Sequence, residues 1–278
     1  MVNPEDTGDR EWNPVAQWTG TLCMTAALIV LTIAPVTGQW LKYPTPAIPR
    51  APDGKPDLSA PTPRTAEGKP DLSGLWQPNA GGYQMNITAD LSVKEFLPWA
   101  AALTKQRIAD FDFARVNPVA LCLPPGPAVR AMMAMVKIIQ TRSLIIMLYE
   151  SGSLDRQVFM DSRTLPDDPN PTWMGYSVGH WDGDTLVVEA VGFNDDTWLS
   201  NVATAPGWFH TTDMRVVETF RRDGNTLYYG YTVYDPDVLS EPWVVAPRPI
   251  QLNTTNGPYN EDPPCIMNTR PMVSRERG

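Results

Sequence analysis

The chain reads as a mainly β protein: a small antiparallel barrel or curled sheet of about eight strands, preceded by one N-terminal transmembrane helix and a short helical segment. Three observations lead there. No Asp, Glu, Lys, Arg or His occurs from Trp12 to Leu41. Apolar and polar residues alternate with a period of two through most of the second half. Between the alternating stretches stand Ser151-Gly152, Asp182-Gly183-Asp184 and Asp223-Gly224-Asn225, which carry the turn chemistry of short hairpin connections.

Residues 1–17 form a polar head interrupted by Pro4, Gly8 and Pro14. Residues 18–40, WTGTLCMTAALIVLTIAPVTGQW, are expected to span the membrane, since a helix rising ~1.5 Å per residue crosses a ~30 Å hydrocarbon layer in that length. A helix also satisfies its own backbone where water is absent. Trp18 and Trp40 fall at the two headgroup levels, and with Trp12 they would set the depth of the anchor. A cleaved signal peptide competes with this reading, because small residues follow the apolar run at Val36, Thr37 and Gly38. The leader argues for retention: it carries Glu5, Asp6, Asp9 and Glu11 against a single Arg10, whereas a secretory leader is basic. Lys42, Arg50 and Lys55 after the span outnumber Arg10 before it, a small bias toward a cytoplasmic domain.

Residues 41–72 are Pro-rich and contain a repeat, Asp53-Gly-Lys-Pro-Asp-Leu-Ser59 and Glu67-Gly-Lys-Pro-Asp-Leu-Ser73. Such sequence favours an extended tether, either a plain spacer or a strap laid over a partner. Residues 73–278 make up the extramembrane β domain. Its one helical pattern runs from Leu91 to Val116, with Phe96, Leu97, Ala100, Leu103, Ile108 and Phe111 at helical spacing, and stops before Asn117-Pro118. Strands are expected at Val136–Ile139, Ser143–Glu150, Asp155–Met160, Gly175–Trp181, Thr185–Val191, Met214–Arg221, Thr226–Tyr234 and Trp243–Leu252.

With 42% hydrophobic residues the chain can bury one sizeable core. A net charge of -9 and a pI near 4.7 argue against nucleic acid and a flat anionic bilayer surface as partners. Cys23 lies in the span, and Cys122 and Cys265 lie in the domain. These two could form a disulfide in an oxidising compartment or remain two thiols. C-x-x-C pairs are absent from the sequence, which disfavours covalent haem and cysteine-bound zinc; no cofactor is expected.

The stretches Asp71-Leu-Ser-Gly-Leu-Trp76, Pro171-Thr-Trp-Met-Gly-Tyr-Ser-Val-Gly-His-Trp-Asp-Gly-Asp-Thr-Leu-Val-Val188 and Gly192-Phe-Asn-Asp-Asp-Thr-Trp-Leu199 resemble a family of exported acidobacterial and gemmatimonad proteins of unknown function. That family carries a DGKPDLSGxW opening and a WxGxSxGxWxGDTLVV core, and the likeness runs over roughly residues 53 to 265. Gly74-Leu75-Trp76 also fits the G-x-W that opens lipocalin-like barrels. The family resemblance implies a periplasmic domain and outweighs the Lys and Arg count. The chain departs from the family at Cys265-Ile-Met-Asn268, where relatives tend to place a His beside the Cys. An anchored, acidic member with a Trp-bracketed span and a proline strap is also similar to an accessory subunit of reaction-centre and light-harvesting assemblies. This implies integral membrane subunits, reaction centre and antenna, as partners.

Two histidines, His180 and His210, are too few for a His-rich metal site. Ser177 or Ser200 with His210 and Asp195 can be written as a triad, but Ser177 lacks the strand-to-helix elbow. Asn194, Asp195 and Asp196, with Asp167, Asp168, Asp182 and Asp184, suggest a Ca²⁺ or acid/base cluster, although solvated turn acids account for them more simply. Trp173, Trp181, Trp198, Trp208 and Trp243 could line an apolar ligand site, fill a core or anchor an interface. Trp173, Trp198, Trp208 and Trp243 are the interface candidates. The expected function is a non-catalytic, inner-membrane, single-pass scaffold subunit. The alternatives are a periplasmic hydrolase or cyclase acting on an apolar substrate through His210 and Asp195, and a lipocalin-like carrier.

Overall fold

The computed structural model describes residues 48–78, 87–109, 118–126, 132–200, 207–255 and 265, apart from single positions 89, 119, 125, 133, 151 and 153. The polar head and the expected span with Trp12, Trp18 and Trp40 lie outside the described residues. Among the described residues no helix is long and apolar enough to cross a membrane. The chain divides into two compact units, Met1–Tyr43 and Pro44–Gly278, and the barrel belongs to the second.

Nine strands close a barrel in sequence order: β1 Gly74–Pro78, β2 Val136–Gln140, β3 Leu144–Tyr149, β4 Leu154–Phe159, β5 Tyr176–Asp182, β6 Thr185–Val191, β7 Arg215–Asp223, β8 Thr226–Tyr234 and β9 Trp243–Leu252. β9 returns to β1 through Trp76↔Leu252 and Pro78↔Ile250, so no sheet edge stays open. The eight strands expected from alternation are all present, and β1 is the addition. An odd number of strands cannot alternate direction around a closed ring, so one neighbouring pair must run parallel. That pair is β4 and β5, joined by Val158↔Ser177 and Phe159↔Val178. A parallel pair needs a long return connection, and residues 160–175 supply it.

Two hairpins use two-residue loops, Asp182↔Thr185 across Gly183-Asp184 and Asp223↔Thr226 across Gly224-Asn225. Gly183 and Gly224 both have φ of 56°, and glycine at the first central position is what a type II′ turn requires. On β9, Pro247 lacks a backbone N–H and would weaken a regular ladder. The ladder with β8 is interrupted there by a register shift between Tyr229 and Tyr231. At the intervening Gly230 an added Cβ would lie 3.0 Å from Pro247 Cγ.

The helical segment is shorter than the pattern suggests. A 3-10 turn, Val93–Glu95, precedes helix α1, Pro98–Ala109, and residues 110–116 of the expected helix lie outside the described residues. Phe96 leaves the helix to bridge Leu239, and Leu97 N–H donates to the Val238 carbonyl. The segment is thus bound to the β8–β9 loop.

Successive hairpin turns place the chain at alternate ends of the barrel. The β2–β3, β5–β6 and β7–β8 turns share one end with the start of β1, where the Pro-rich strap arrives. The 193–214 loop, the 235–242 loop and α1 gather at the other.

Candidate functional site

The barrel interior is built from the inward phase of each strand: Val136 and Ile138 on β2, Ile145, Met147 and Tyr149 on β3, Leu186, Val188 and Ala190 on β6, all buried. Charged residues occupy that same phase at Arg156, Glu218 and, near the end of β7, Arg222. Arg156, between inward neighbours on β4, and Glu218, between Val216 and Phe220 on β7, meet at 2.5 Å with side chains 1% and 0% exposed. Arg156 Nε donates to Ser177 Oγ at 2.9 Å, and the Tyr229 hydroxyl donates to Glu218 Oε1 at 2.7 Å. Both carboxylate oxygens of Glu218 are therefore occupied, as a charge removed from water requires.

Burial favours the neutral guanidine of Arg156, but the adjacent Glu218 carboxylate, together with Tyr149 and Tyr229, outweighs it and holds the group above its ordinary pKa. Burial pushes the Tyr149 phenol up to about 12, against the pull of the Arg156 charge. Tyr229 rises too, first from burial and then from Glu218. Arg156 therefore stays charged and the two phenols stay neutral across the physiological range, which suits a fixed internal brace. Sequence reading passed over this cluster. The available signal was charge in the inward phase of the β4 and β7 alternations.

No family model, no curated protein and no solved structure matches the chain.

Packing accounts for several residues of the long central motif. Its alternate residues Ser177, Gly179 and Trp181 are the inward phase of β5. Ser177 receives Arg156, and a Cβ at Gly179 would sit 2.6 Å from Met160 Sδ and 3.0 Å from Val158 Cγ1. Gly175, with φ of 66°, starts the strand where a Cβ would lie 2.7 Å from the Val191 carbonyl. Gly183 makes the turn. The motif thus serves the interior and the hairpin.

At the loop end, His210 is 2% exposed. Its Nε2 lies 2.8 Å from Thr197 Oγ1 and its Nδ1 lies 3.1 Å from the Thr211 carbonyl. Burial lowers its pKa to about 4, with the Thr211 carbonyl and the Asp195 charge pulling weakly upward. Asp195 itself is exposed. Among the described residues the triad written from sequence is not assembled: Ser177 is bonded to Arg156, Ser200 is buried with no hydrogen-bond partner at Oγ, and His210 faces Thr197. Asp167, Asp168, Asp195 and Asp196 are exposed loop or turn residues and Asp182 is the exposed last residue of β5, and Asp184 is paired with Arg64 at 2.6 Å. Among the described residues no group of three or more His, Cys, Asp or Glu is arranged to hold a metal.

The tryptophan candidates are corrected by burial. Trp198, Trp208 and Trp243 are core residues at 6%, 2% and 4% exposure, and Trp173 is partly buried against the core. They pack rather than project: Trp208 stacks on Phe96 at 4.0 Å, Trp243 meets Tyr231 edge-on, and Arg107 covers the rings of Trp198 and Phe209. Among the described residues the exposed tryptophan is Trp99, at 50%, which lies off the apolar stripe of the helical pattern. Cys122 and Cys265 are joined by a disulfide with Cα atoms 5.5 Å apart, so of the two arrangements open to them they take the bonded one.

At the opposite end the Pro-rich stretch is part of the fold. The second repeat inserts Leu72, which is fully buried, and is clamped by Gln140 at the end of β2. Leu72 N–H donates to Gln140 Oε1 at 2.7 Å, Gln140 Nε2 donates to the Pro70 carbonyl, and Gln140 N–H donates to Ser73 Oγ. Trp76 Nε1 donates to the Leu72 carbonyl at 2.8 Å. Arg222 donates to the Asp71 carbonyl and lies over the Trp76 ring. Arg64 forks onto Asp184 with bonds of 2.9 and 2.6 Å. The boundary drawn at residue 72 is therefore corrected: described strap residues from Ile48 onward belong to the barrel unit, which begins at Pro44. The proline pattern marked extended chain, but an extended chain can also close a barrel end.

Proposed function

We infer that the chain is a non-catalytic, membrane-anchored accessory subunit whose β domain braces neighbouring integral membrane proteins. The likeness of an anchored, acidic chain with a Trp-bracketed span and a proline strap points to a reaction-centre and light-harvesting assembly, and the family resemblance points to a domain on the periplasmic side of the inner membrane. The observation that carries this reading is the strap, which is clamped to the barrel by Gln140, Arg222 and Arg64 instead of running free. If residues 18–40 form the anchor, seven residues, 41–47, separate it from Ile48, the first described residue of the barrel unit. Seven residues reach at most about 25 Å. A domain tethered so closely meets its neighbours at high effective concentration, where modest contacts suffice.

Two further observations favour bracing over chemistry or transport. His210 is withdrawn from solvent and held by Thr197, apart from the hydroxyls of Ser177 and Ser200. The barrel centre is occupied by the Arg156–Glu218 pair and the rings of Trp76, Tyr149, Phe220 and Tyr229, where a carrier of an apolar ligand would be expected to leave room. The disulfide suits a periplasmic setting.

The test is extraction of native membranes in mild detergent, comparing the full chain with a deletion of residues 1–43. Deletion to residue 72 would instead remove Leu72 and unfold the barrel end. The full chain should co-purify with integral subunits and their pigment, and the deletion should fold but separate from them. An enzyme would keep its turnover in both forms and lose it in His210→Ala or Asp195→Ala.

A further inference from the structure

The two copies of the repeat have the same fold and opposite fates. In the first, Ala51 N–H donates to the Lys55 carbonyl and Gly54 N–H to the Ala51 carbonyl; in the second, Thr65 and Gly68 make the same bonds to Lys69 and Thr65. Gly54 and Gly68 both turn through positive φ, 80° and 77°. Arg50 Nη1 caps the Gly54 carbonyl as Arg64 Nη1 caps Gly68. Arg50↔Pro56 and Arg64↔Pro70 form matching bridges.

Beyond the turn the copies diverge. The second copy uses three groups to grip the barrel: Leu72 enters the core, Arg64 forks onto Asp184, and Lys69 donates to the Gly183 carbonyl at 3.1 Å. Among the described residues the equivalent groups of the first copy meet no such target. Leu58 is 64% exposed, and among the described residues Lys55 pairs with Asp53 in its own turn at 80% side-chain exposure, while Arg50 Nη2 is buried without a hydrogen-bond partner. The nearby β7–β8 turn offers an amide, Asn225, where the β5–β6 turn offers the carboxylate of Asp184. Asn225 Nδ2 donates to the Leu58 carbonyl and Gly224 N–H donates to Thr62 Oγ1 at 2.7 Å. The first bond holds the copy by its backbone, the second holds Thr62 just beyond it, and the Leu58 side chain stays outside.

We propose that the first copy, Arg50–Ser59, is a preformed docking arm for a neighbouring protein that presents a leucine-sized apolar recess beside an acidic β-turn. The recognition chemistry is read from the second copy, which engages that kind of surface within this chain. Leu58 fills the recess, and Lys55 exchanges its exposed pairing with Asp53 for the carboxylate of the neighbour's turn. Because the arm is already folded, little ordering entropy opposes docking. The proposal rests on the scaffold reading and names one of its contact surfaces.

The experiment uses the full chain in its native membrane. Leu58→Asp is compared with wild type for co-purification in mild detergent, with thermal unfolding as the control for folding, and zero-length carbodiimide coupling maps the carboxylates within reach of Lys55. Leu58→Asp should keep the wild-type unfolding midpoint and lose co-purifying subunits by about tenfold or more, the scale of one buried leucine. Lys55 should couple to an Asp or Glu in a turn of another polypeptide. Undiminished co-purification of Leu58→Asp, or coupling of Lys55 to Asp53 alone, overturns the arm and leaves the scaffold reading standing. Coupling to Asp184 of a second copy overturns the choice of occupant. A wild-type chain that extracts alone overturns both readings.

Discussion

Removing one member of the buried pair should unfold the domain more readily than any surface change. In Glu218→Gln the Arg156 guanidinium, 1% exposed, keeps its charge and loses its counter-charge. Tyr229 keeps an acceptor, and Ser177 still receives Arg156 Nε. The cost of leaving a buried charge uncompensated is ~3–5 kcal/mol, a large part of the 5–15 kcal/mol that holds a typical domain together. For a unit of this size that corresponds to a fall of roughly 6–20 °C in the unfolding midpoint. Arg156→Met should cost a similar amount by stranding Glu218. The double variant Arg156→Met with Glu218→Leu should recover much of the loss, because replacing both charges removes the desolvation as well as the attraction. Thermal and denaturant unfolding of the four proteins gives the cycle directly. Single variants that cost under about 1 kcal/mol, or a double variant equal to the sum of the singles, would refute the claim that the pair is desolvated and mutually compensating.

The duplicated motif allows an internally controlled test of burial. Leu72→Ala should cost ~2–5 kcal/mol and Leu58→Ala no more than about 0.5 kcal/mol, as read by urea unfolding, and equal costs would show that the two copies do not differ as described. The pH dependence should carry the signature of His210. Its folded pKa, about 4, lies below the unfolded value of about 6.5, so the unfolded chain binds the extra proton between those values and stability rises with pH across that window. The contribution is complete above about pH 6.5 and is lost as the pH falls toward 4, on the order of 3 kcal/mol in all. Burial raises the Asp235 carboxyl and pulls the other way, so the difference between the wild-type and His210→Asn curves is what isolates the histidine. A flat difference from pH 4 to 7 would mean that His210 is hydrated in the fold.

The strands were legible because a curled sheet with one wet face writes a period of two into the sequence, and because Gly183 and Gly224 stand where a two-residue turn needs them. β1 was not, since Gly74–Pro78 has three buried residues in succession and ends in proline, so nothing in it alternates. Arg156 and Glu218 could have been singled out by phase, but their pairing depends on β4 and β7 facing each other across a closed barrel, a fact of topology rather than of local pattern. The tryptophans were misassigned for a related reason. Their size suits a core as well as an interface, and only closure of the loop end over Phe96 and α1 decides between them. The strap shows the limit of composition: proline content marks extended chain, and the surface that chain lies on is set by Gln140, Arg222 and Asp184, all distant in sequence.

The most direct measurement of the bracing role is the particle mass of the full chain after mild detergent extraction, by size exclusion with light scattering. The account predicts elution in a pigment-bearing particle many times the mass of one chain. Elution of the chain as a lone detergent-bound monomer, in the same detergent that keeps the neighbouring membrane complexes intact, would contradict it.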